Sequence, residues 1–380
     1  MNAAIPDRLA DRAGHAGAGP FSISIVMPAY NVAELIEETL ATILPQMRAC
    51  HELVLIDDGS TDATMARARA ACAAWPQHAI RIVSQARAGV ADARNQGVAR
   101  ARGDYILFID SDDLLQAGAL DGIDAAISAG APDAIATDFC IWYPERSMQP
   151  LEHHRLSYPP GTTVRGHDAI LSAYFADRHM YVWSKIIRRE IYMRLGLPLF
   201  PSGRLFEDMA AVPRLLAACR TLAYVPLELL HYRQHPSSIT RRVTPRWCID
   251  YVLALESARP HLERAGVGAA VRAQFDIAAC HFYMCAVKTS FQLPADIQPQ
   301  RVRKELRAIF LRTLFGSVDE AIANMASGRL LSANRRSDER CVRQLRHALA
   351  DDRLFQLRQT VNRFFKNWQN MRQLRRSRTT

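Results

Sequence analysis

The amino-terminal part of the chain alternates between short apolar runs and segments with helical spacing. The runs are "SISIVMPAY" (22–30), "ELVLI" (52–56), "AIRIVS" (79–84) and "DYILFI" (104–109). They are apolar nearly throughout, which is typical of strands buried on both faces of a parallel sheet. Because helical segments separate them, the pattern predicts an α/β fold with a mostly parallel central sheet.

The pattern becomes less regular after Asp113. Helical spacing continues in 120–130, 165–176, 184–196 and 206–219, while 132–143 indicates a strand and 222–236 an extended strand pair. From about residue 245 onward the pattern predicts helices only. We therefore expect a flexible leader over 1–20, one α/β domain over 21–240 and a helical, basic region over 241–380.

The first predicted helix carries a start signal. Asn31 is followed three residues later by Glu34, which is the spacing of a capping box. This helix is therefore expected to begin at Asn31.

Polar side chains follow three of the predicted strands. Tyr30 ends the first, Asp57 and Asp58 end the second, and the acidic run from Asp110 to Asp113 ends the fourth. Ligands of parallel α/β sheets bind outside the carboxyl ends of the strands. Each cluster alone could be a solvated turn, but three of them at one sheet edge indicate a binding site.

The stretch "FIDSDD" suggests a metal site. Asp110 and Asp112 are two residues apart at a strand end, so both carboxylates can reach one ion. Mg²⁺ and Mn²⁺ accept oxygen ligands and commonly share them with substrate phosphates. Such a site would neutralise the charge that develops on a diphosphate leaving group.

Several stretches together resemble glycosyltransferase family 2, the inverting transferases with the GT-A fold. They are "SIVMPAYN", "LVLIDDGSTD", "GVADARNQGVARARGDYILFIDSDD", "VWSKIIRREI", "FED" and "HYRQHPSSIT". The resemblance covers 22–240 and is strongest over 22–120. It implies a GT-A domain, here followed by a helical carboxy-terminal region.

The resemblance also implies roles for individual residues. Pro28, Ala29 and Tyr30 would line a nucleobase pocket. The remaining donor contacts would come from Asp58, Arg94, Asp110, Ser111 and Asp112. Asp110 and Asp112 would hold Mg²⁺ or Mn²⁺, with Asp112 the more direct ligand. Asp208 would be the general base that takes the proton of the acceptor hydroxyl.

Five further residues are candidates for contacts with the acceptor or the diphosphate: Asp113, Lys185, Glu207, His231 and Arg233. Simpler structural interpretations stay open for some of the candidates. Glu207 and Asp208 also suit the dipole at a helix start, and His231 with Arg233 could be a surface pair. Tyr30 could merely cover the core.

Charge is concentrated at the end of the chain. The formal net charge is +10, and residues 329–380 hold fourteen Lys and Arg against four Asp and Glu. An apolar stripe there runs from Val342 through Leu345 and Leu357 to Phe364 and Trp368. It could lie on an anionic membrane, or it could pack on the domain or on a second subunit.

The remaining composition indicates a cytoplasmic protein. No apolar run approaches the ~18–20 residues of a membrane span, and residues 1–20 lack the pattern of an export signal. The eight cysteines are scattered without a CxxC pair, so their spacing suggests neither a zinc site nor disulfides.

The resemblance therefore implies a hexosyltransferase that moves one sugar from a nucleotide-diphosphate sugar, with uridine favoured, to a glycan or lipid-linked acceptor. The setting would be synthesis of a bacterial surface polysaccharide or glycolipid, with a homo-oligomer as an option and nucleic acid not expected as a partner. The alternative is a non-catalytic protein that binds sugar nucleotides or a membrane surface. A nucleotidyltransferase is disfavoured, because no glycine-rich phosphate loop follows the first strand.

Overall fold

The computed structural model describes residues 22–146, 151–235, 242–351, 353 and 355–361. The predicted leader over 1–20 lies outside these residues, as do Phe364 and Trp368 of the apolar stripe.

The first part of the described chain forms the parallel layer that the pattern predicts. Its strands are β1 (Ile23–Ala29), β2 (His51–Asp57), β3 (Ala79–Ser84) and β4 (Tyr105–Phe108), and they lie in the order β3-β2-β1-β4. Its helices are α1 (Ile36–Ile43), α2 (Thr64–Ala73) and α3 (Val90–Arg100), with a 3₁₀ turn over Leu44–Gln46. β1, β2 and β4 are buried along their whole length, as their unbroken apolar runs require.

The capping-box prediction at Asn31 was wrong. α1 begins at Ile36, and Asn31 has a left-handed backbone with φ 47°. The Asn31 Oδ1 accepts the backbone N–H of Thr61 at 2.8 Å, so its side chain joins the β1 and β2 loops and does not cap the helix.

The second part extends the same sheet. Its strands are β5 (Leu114–Leu115), β6 (Ala134–Trp142), β7 (Leu151–His154), β8 (Thr163–Arg165), β9 (Lys185–Arg188) and β10 (Thr221–Arg233). The order continues β4-β9-β6-β10-β5, with β7 beside β6 and β8 beside β10. β9 is antiparallel to both of its neighbours, whereas β6 and β10 are parallel. The helices here are α4 (Ala119–Gly130), α5 (His167–Asp177), α6 (Arg189–Leu195) and α7 (Glu207–Ala217).

Two local predictions in this part were wrong. Residues 222–236 were expected to form a strand pair, but Thr221–Arg233 is one strand whose pairing with β6 shifts register twice. Residues 184–196 were expected to be helical throughout, but Lys185–Arg188 form β9 before α6 begins. Pairing with strands on both sides overrides the local helical spacing there.

Helices alone follow residue 244 in the described chain. They are α8 (Pro245–Arg264), α9 (Ala269–Ser290), α10 (Pro299–Thr313), α11 (Val318–Ser327) and α12 (Arg335–Ala350), with a 3₁₀ turn over Ala295–Ile297. α8 packs on α7, and α9 packs on α5, so the carboxy-terminal helices dock on two helices of the second part of the chain.

The basic apolar stripe is divided between two environments. Leu345 is buried and Val342 is partly buried on α12, which packs on α9 and α11, and this is the packing alternative. α12 ends at Ala350, the next residue, Asp351, has φ 46°, and beyond it Leu357 is 62% exposed. Within the described residues, no helix combines the length and the apolar character that crossing a bilayer requires.

Candidate active site

Three strand ends meet at one edge of the sheet, as the polar clusters predicted. The Asp58 N–H donates to the carbonyl of Ala29 at 2.9 Å, which joins the ends of β1 and β2. The Ile109 N–H donates to the carbonyl of Val26 at 3.1 Å and brings the end of β4 alongside. The acidic turn that follows β4 therefore lies next to the β1 end.

Asp58 is buried and holds the loop before α3. Its Oδ1 accepts the N–H of Ala88 and the side-chain amide of Gln85, and its Oδ2 accepts the N–H of Gly89, each at 2.8 Å. Gly89 has φ 103°, a conformation that other residues rarely adopt. Both Asp58 oxygens are thus engaged within the protein, and its proposed contact with the base stays a prediction.

Of the three residues predicted for the nucleobase pocket, only Tyr30 has a partly exposed side chain; Pro28 and Ala29 are buried in β1. The guanidinium carbon of Arg87 lies 3.3 Å from the centroid of the Tyr30 ring. Arg87 is exposed and was not predicted, because nothing in its local sequence sets it apart from other surface arginines. A planar base could stack at this place.

Arg94 joins two groups of residues that are far apart in sequence. It is buried, and one of its nitrogens donates to Asp110 Oδ1 at 2.8 Å. Another nitrogen donates to the carboxylate of Glu207 at the start of α7. One guanidinium therefore joins α3, the acidic turn and α7, because arginine carries several N–H donors and can bridge two carboxylates.

Arg233 supports the acidic turn mainly through backbone contacts. The side-chain Nε of Arg233 donates to the backbone carbonyl of Asp112 at 2.7 Å, and the backbone N–H of Arg233 donates to Asp113 Oδ1 at 2.8 Å. A further nitrogen pairs with Glu38 at 2.7 Å. These contacts give Arg233 a structural role in this conformation.

Asp113 lies beneath the turn and is fully buried. Burial, reinforced by Asp112 and Asp110, raises the pKa of Asp113 well above its ordinary value. Its Oδ2 has no hydrogen-bond partner among the described residues. Asp113 contacts the chain through its Oδ1, which accepts the backbone N–H of Arg233.

His235 is a site residue that sequence reasoning missed. Its Nε2 lies 2.8 Å from Asp112 Oδ2. The stretch "HYRQHPSSIT" contains two histidines, and its local pattern does not distinguish them. His231, which was selected, lies instead beside Cys140 and Glu228.

The donor set of the turn fits Mg²⁺ or Mn²⁺. The side chains of Asp110 and Asp112 are each 25% exposed, so both carboxylates are accessible to solvent. Ser111, between them, is buried, and its carbonyl accepts the Thr39 hydroxyl at 3.1 Å. Carboxylate oxygens are the ligands that these cations prefer, and the ring of His235 lies beside one of them. Asp110, Asp112 and His235 are therefore the residues that could hold the ion.

Glu207 and Asp208 begin α7 but differ in exposure. Glu207 is buried against Arg94, whereas Asp208 is partly exposed. The Asp208 carboxylate accepts the N–H of Met209 at 2.8 Å and the N–H of Val182. Burial raises the pKa of Asp208, and the nearby Arg94 opposes that change. Only Asp208 is placed to meet a bound molecule.

The preceding residue, Phe206, has φ 59°, which is unusual for a side chain of this size. Its ring packs against Trp247 and Tyr251 of α8, at centroid distances of 5.2 and 4.8 Å. The Leu205 N–H donates to Asp250 Oδ2 at 3.0 Å. The first carboxy-terminal helix thus holds the backbone that positions Asp208.

Lys185 is buried behind the site. Its Nζ donates to the carbonyl of His179 at 2.9 Å and to the Ser184 hydroxyl at 2.7 Å. Burial lowers the pKa of Lys185 to about 8. It fixes the 179–184 segment, which contains Val182, rather than facing the acidic turn.

The comparisons with known proteins agree with this architecture. The model described as Glycosyl transferase family 2 matches residues 24–194. The uncharacterized glycosyltransferase EpsJ of Bacillus subtilis is 30% identical over 224 residues, which make up 57% of this chain and 62% of EpsJ. The chain therefore spans less than two thirds of that relative.

Solved structures share the fold. TarS 1–349 of S. aureus in complex with UDP-GlcNAc has a TM-score of 0.64 at 16% identity, covering 91% of this chain and 92% of TarS 1–349. The mannosyltransferase PcManGT of Pyrobaculum calidifontis, in complex with GDP-Man and Mn²⁺, has a TM-score of 0.50 at 18% identity over 90% of this chain and 91% of PcManGT.

The fold is that of the GT-A glycosyltransferases, which confirms the predicted fold class. Residues 24–194 are similar to glycosyltransferase family 2.

Proposed function

We propose that the protein is an inverting glycosyltransferase that moves one sugar from a nucleotide-diphosphate sugar to an acceptor hydroxyl. The observation that carries this proposal is the Arg94 bridge, which links the acidic turn at Asp110 to the start of α7, where Asp208 lies. The Arg94 bridge would thereby fix the acidic turn, which would face the leaving diphosphate, relative to Asp208, which would face the acceptor hydroxyl.

The reaction needs one displacement. The acceptor oxygen forms a bond to the anomeric carbon while the bond from that carbon to the diphosphate oxygen breaks. The Asp208 carboxylate takes the hydroxyl proton, and the nucleoside diphosphate leaves with the electron pair of the broken bond. Asp208 acts as a base in its ionised form, which Arg94 favours electrostatically.

A uridine-diphosphate sugar is the donor we favour, because TarS, the neighbour with the higher TM-score of the two, binds UDP-GlcNAc. Tyr30 and Arg87 would hold the base on a stacked surface. Asp110, Asp112 and His235 would hold Mg²⁺ or Mn²⁺, which when bound neutralises charge on the diphosphate.

For the acceptor side we favour the partly exposed rings of Tyr181 and Tyr232, which are supported by the buried ring of Trp183. Val182, which donates to Asp208, lies between Tyr181 and Trp183, whose rings stack at 4.6 Å. Tyr232 packs against both rings at 5.6 and 5.5 Å. Sugar rings present apolar C–H faces that pack on aromatic surfaces. A glycan, free or lipid-linked, is therefore the acceptor class we propose, with surface polysaccharide or glycolipid synthesis as the setting.

A cytoplasmic location, peripheral membrane contact and self-association stay predictions. The exposed Leu357 beyond α12 is compatible with membrane contact.

The test compares two variants with the full-length protein. Asp208→Asn is expected to retain Mn²⁺-dependent binding of a UDP-sugar in calorimetry while its transfer or hydrolysis rate falls about 10²–10⁴-fold. Asp112→Asn is expected to lose both Mn²⁺-dependent binding and activity while keeping its thermal melting profile. Binding without turnover across a panel of donors would favour the non-catalytic alternative. Absence of cation-dependent binding in the folded protein would overturn the proposal.

A further inference from the structure

A second cluster of side chains lies away from the acidic turn. Cys140 is on β6, and it pairs directly with His153 of β7 on one side and with His231 of β10 on the other. Residues that pair directly on neighbouring strands point to the same face of a sheet. One cysteine and two histidines therefore form a row across three strands.

Glu228 joins this row because β10 is irregular. Glu228 and His231 are three residues apart, so in a regular strand they would point to opposite faces. The pairing of β10 with β6 shifts register between Val225 and Glu228 and again between Glu228 and His231. Bulges of this kind commonly redirect side chains at functional positions.

The ligand atoms of the cluster are close together. The Sγ of Cys140, a carboxylate oxygen of Glu228 and a ring nitrogen of His231 all lie within 4.8 Å of one another. The Nδ1 of His153 contacts the carboxylate of Glu228. Cys140 is buried at the base, whereas the side chains of His153 and Glu228 are 58% and 36% exposed, so an ion could enter from solvent.

A cluster of similar composition provides a contrast. In the group formed by Cys50, His51 and Asp124, the His51 Nδ1 accepts the N–H of Arg48 at 3.1 Å and its Nε2 lies 2.9 Å from Asp124. The guanidinium of Arg48 also pairs with Asp124 at 2.6 Å. A metal there would have to displace three contacts and approach a cation.

We propose that Cys140, His153, Glu228 and His231 bind one zinc-class divalent ion. One sulfur, two imidazole nitrogens and one carboxylate oxygen make up a ligand set suited to tetrahedral Zn²⁺ and different from the oxygen-rich set at the acidic turn. Binding displaces the thiol proton to solvent and forms the metal–sulfur bond. The bound ion would cross-link β7 and β10 to β6.

The test uses Co²⁺ as a spectroscopic substitute for Zn²⁺ in the full-length, reduced protein. We expect one equivalent of Co²⁺ to produce a thiolate-to-cobalt charge-transfer band, and Zn²⁺ to abolish it. An ion held only at Asp110, Asp112 and His235 has no sulfur ligand and cannot give that band. Zn²⁺ is also expected to raise the melting temperature, since an ion that binds only the folded state stabilises it.

Variants locate the site. Cys140→Ser is expected to lose the band, and Cys50→Ser, the matched control in the contrasting cluster, to keep it. His153→Ala changes an exposed side chain, so it should fold normally and bind Co²⁺ at least about tenfold more weakly. A folded wild-type protein without the band, or a band that survives in Cys140→Ser, would overturn the proposal.

Discussion

The two halves of the sheet are built differently. The first half, β1 to β4, consists of parallel strands whose ends present Tyr30, Asp58 and the acidic turn directly after an apolar run. The second half, β5 to β10, mixes directions, and β10 shifts its register twice. In the first half, the candidate site residues are positioned by the ends of the strands. In the second half, side chains are brought together by the pairing of strands that are distant in sequence.

The largest effect on stability should come from removing Arg94, which pairs with carboxylates in both halves of the protein. Arg94→Met leaves the carboxylates of Asp110 and Glu207 without their common partner, and removing one member of a buried ion pair costs about 3–5 kcal/mol. We expect the free energy of unfolding in urea to fall by that amount. Arg100→Met, at the partly exposed last residue of α3, is the control and should change the free energy of unfolding by less than about 0.5 kcal/mol. Equal effects of the two changes would mean that the halves are not coupled through Arg94.

The second effect tests whether α8 positions the base. Trp247→Ala removes a buried ring that packs on Phe206 and should destabilise the protein by about 3 kcal/mol. Because Phe206 then loses its support, kcat should fall while the affinity for the nucleotide in the first half is kept. Tyr251→Phe preserves its ring against Phe206 and serves as the matched control. A loss of donor affinity equal to the loss of kcat would contradict this division of roles.

The third effect is a pH dependence located in the second half. Burial lowers the pKa of Lys185 from 10.5 to about 8, so between these values the unfolded chain binds more protons than the folded one. The free energy of unfolding should therefore rise with pH. The Lys185 contribution to this rise is about 2 kcal/mol between pH ~8 and pH ~9.5. Lys185→Met should remove this slope relative to wild type in urea unfolding at several pH values. Lys304→Met, on an exposed position of α10, should leave the slope intact.

The smallest effect concerns the β1 loop in the first half. Asn31→Ala removes the acceptor of the Thr61 N–H and places alanine at φ 47°, at a cost of about 1–2 kcal/mol. Asn31→Gly removes the same side chain but accepts the left-handed backbone, so it should cost less. If the glycine variant melts no higher than the alanine variant, backbone strain does not contribute at this position.

Site residues that directly follow an apolar strand could be predicted from the sequence, whereas residues brought in from distant segments could not. Asp110 and Asp112 could be selected because both follow an unbroken apolar strand within a few residues. Arg87 and His235 could not be selected, since their significance comes from Tyr30 and Asp112, which are distant in sequence. Lys185 and Arg233 were selected, but the structure gives them supporting contacts that spacing does not specify.

The cysteines show most directly which metal sites sequence spacing cannot detect. Their scattered spacing predicted no zinc site, and the cluster around Cys140 draws its members from positions 140, 153, 228 and 231. Spacing motifs detect ligands that share one loop or helix, whereas these residues come together only through strand pairing.

The sequence by itself determined the alternation of strands and helices in the first half and the placement of acidic residues at its strand ends, because both depend on short-range periodicity. The tertiary structure alone decided the Arg94 bridge, the support of Phe206 by α8 and the row of side chains beside Cys140. Those features depend on register, on bulges and on helix packing, where each contact is selected by partners far along the chain.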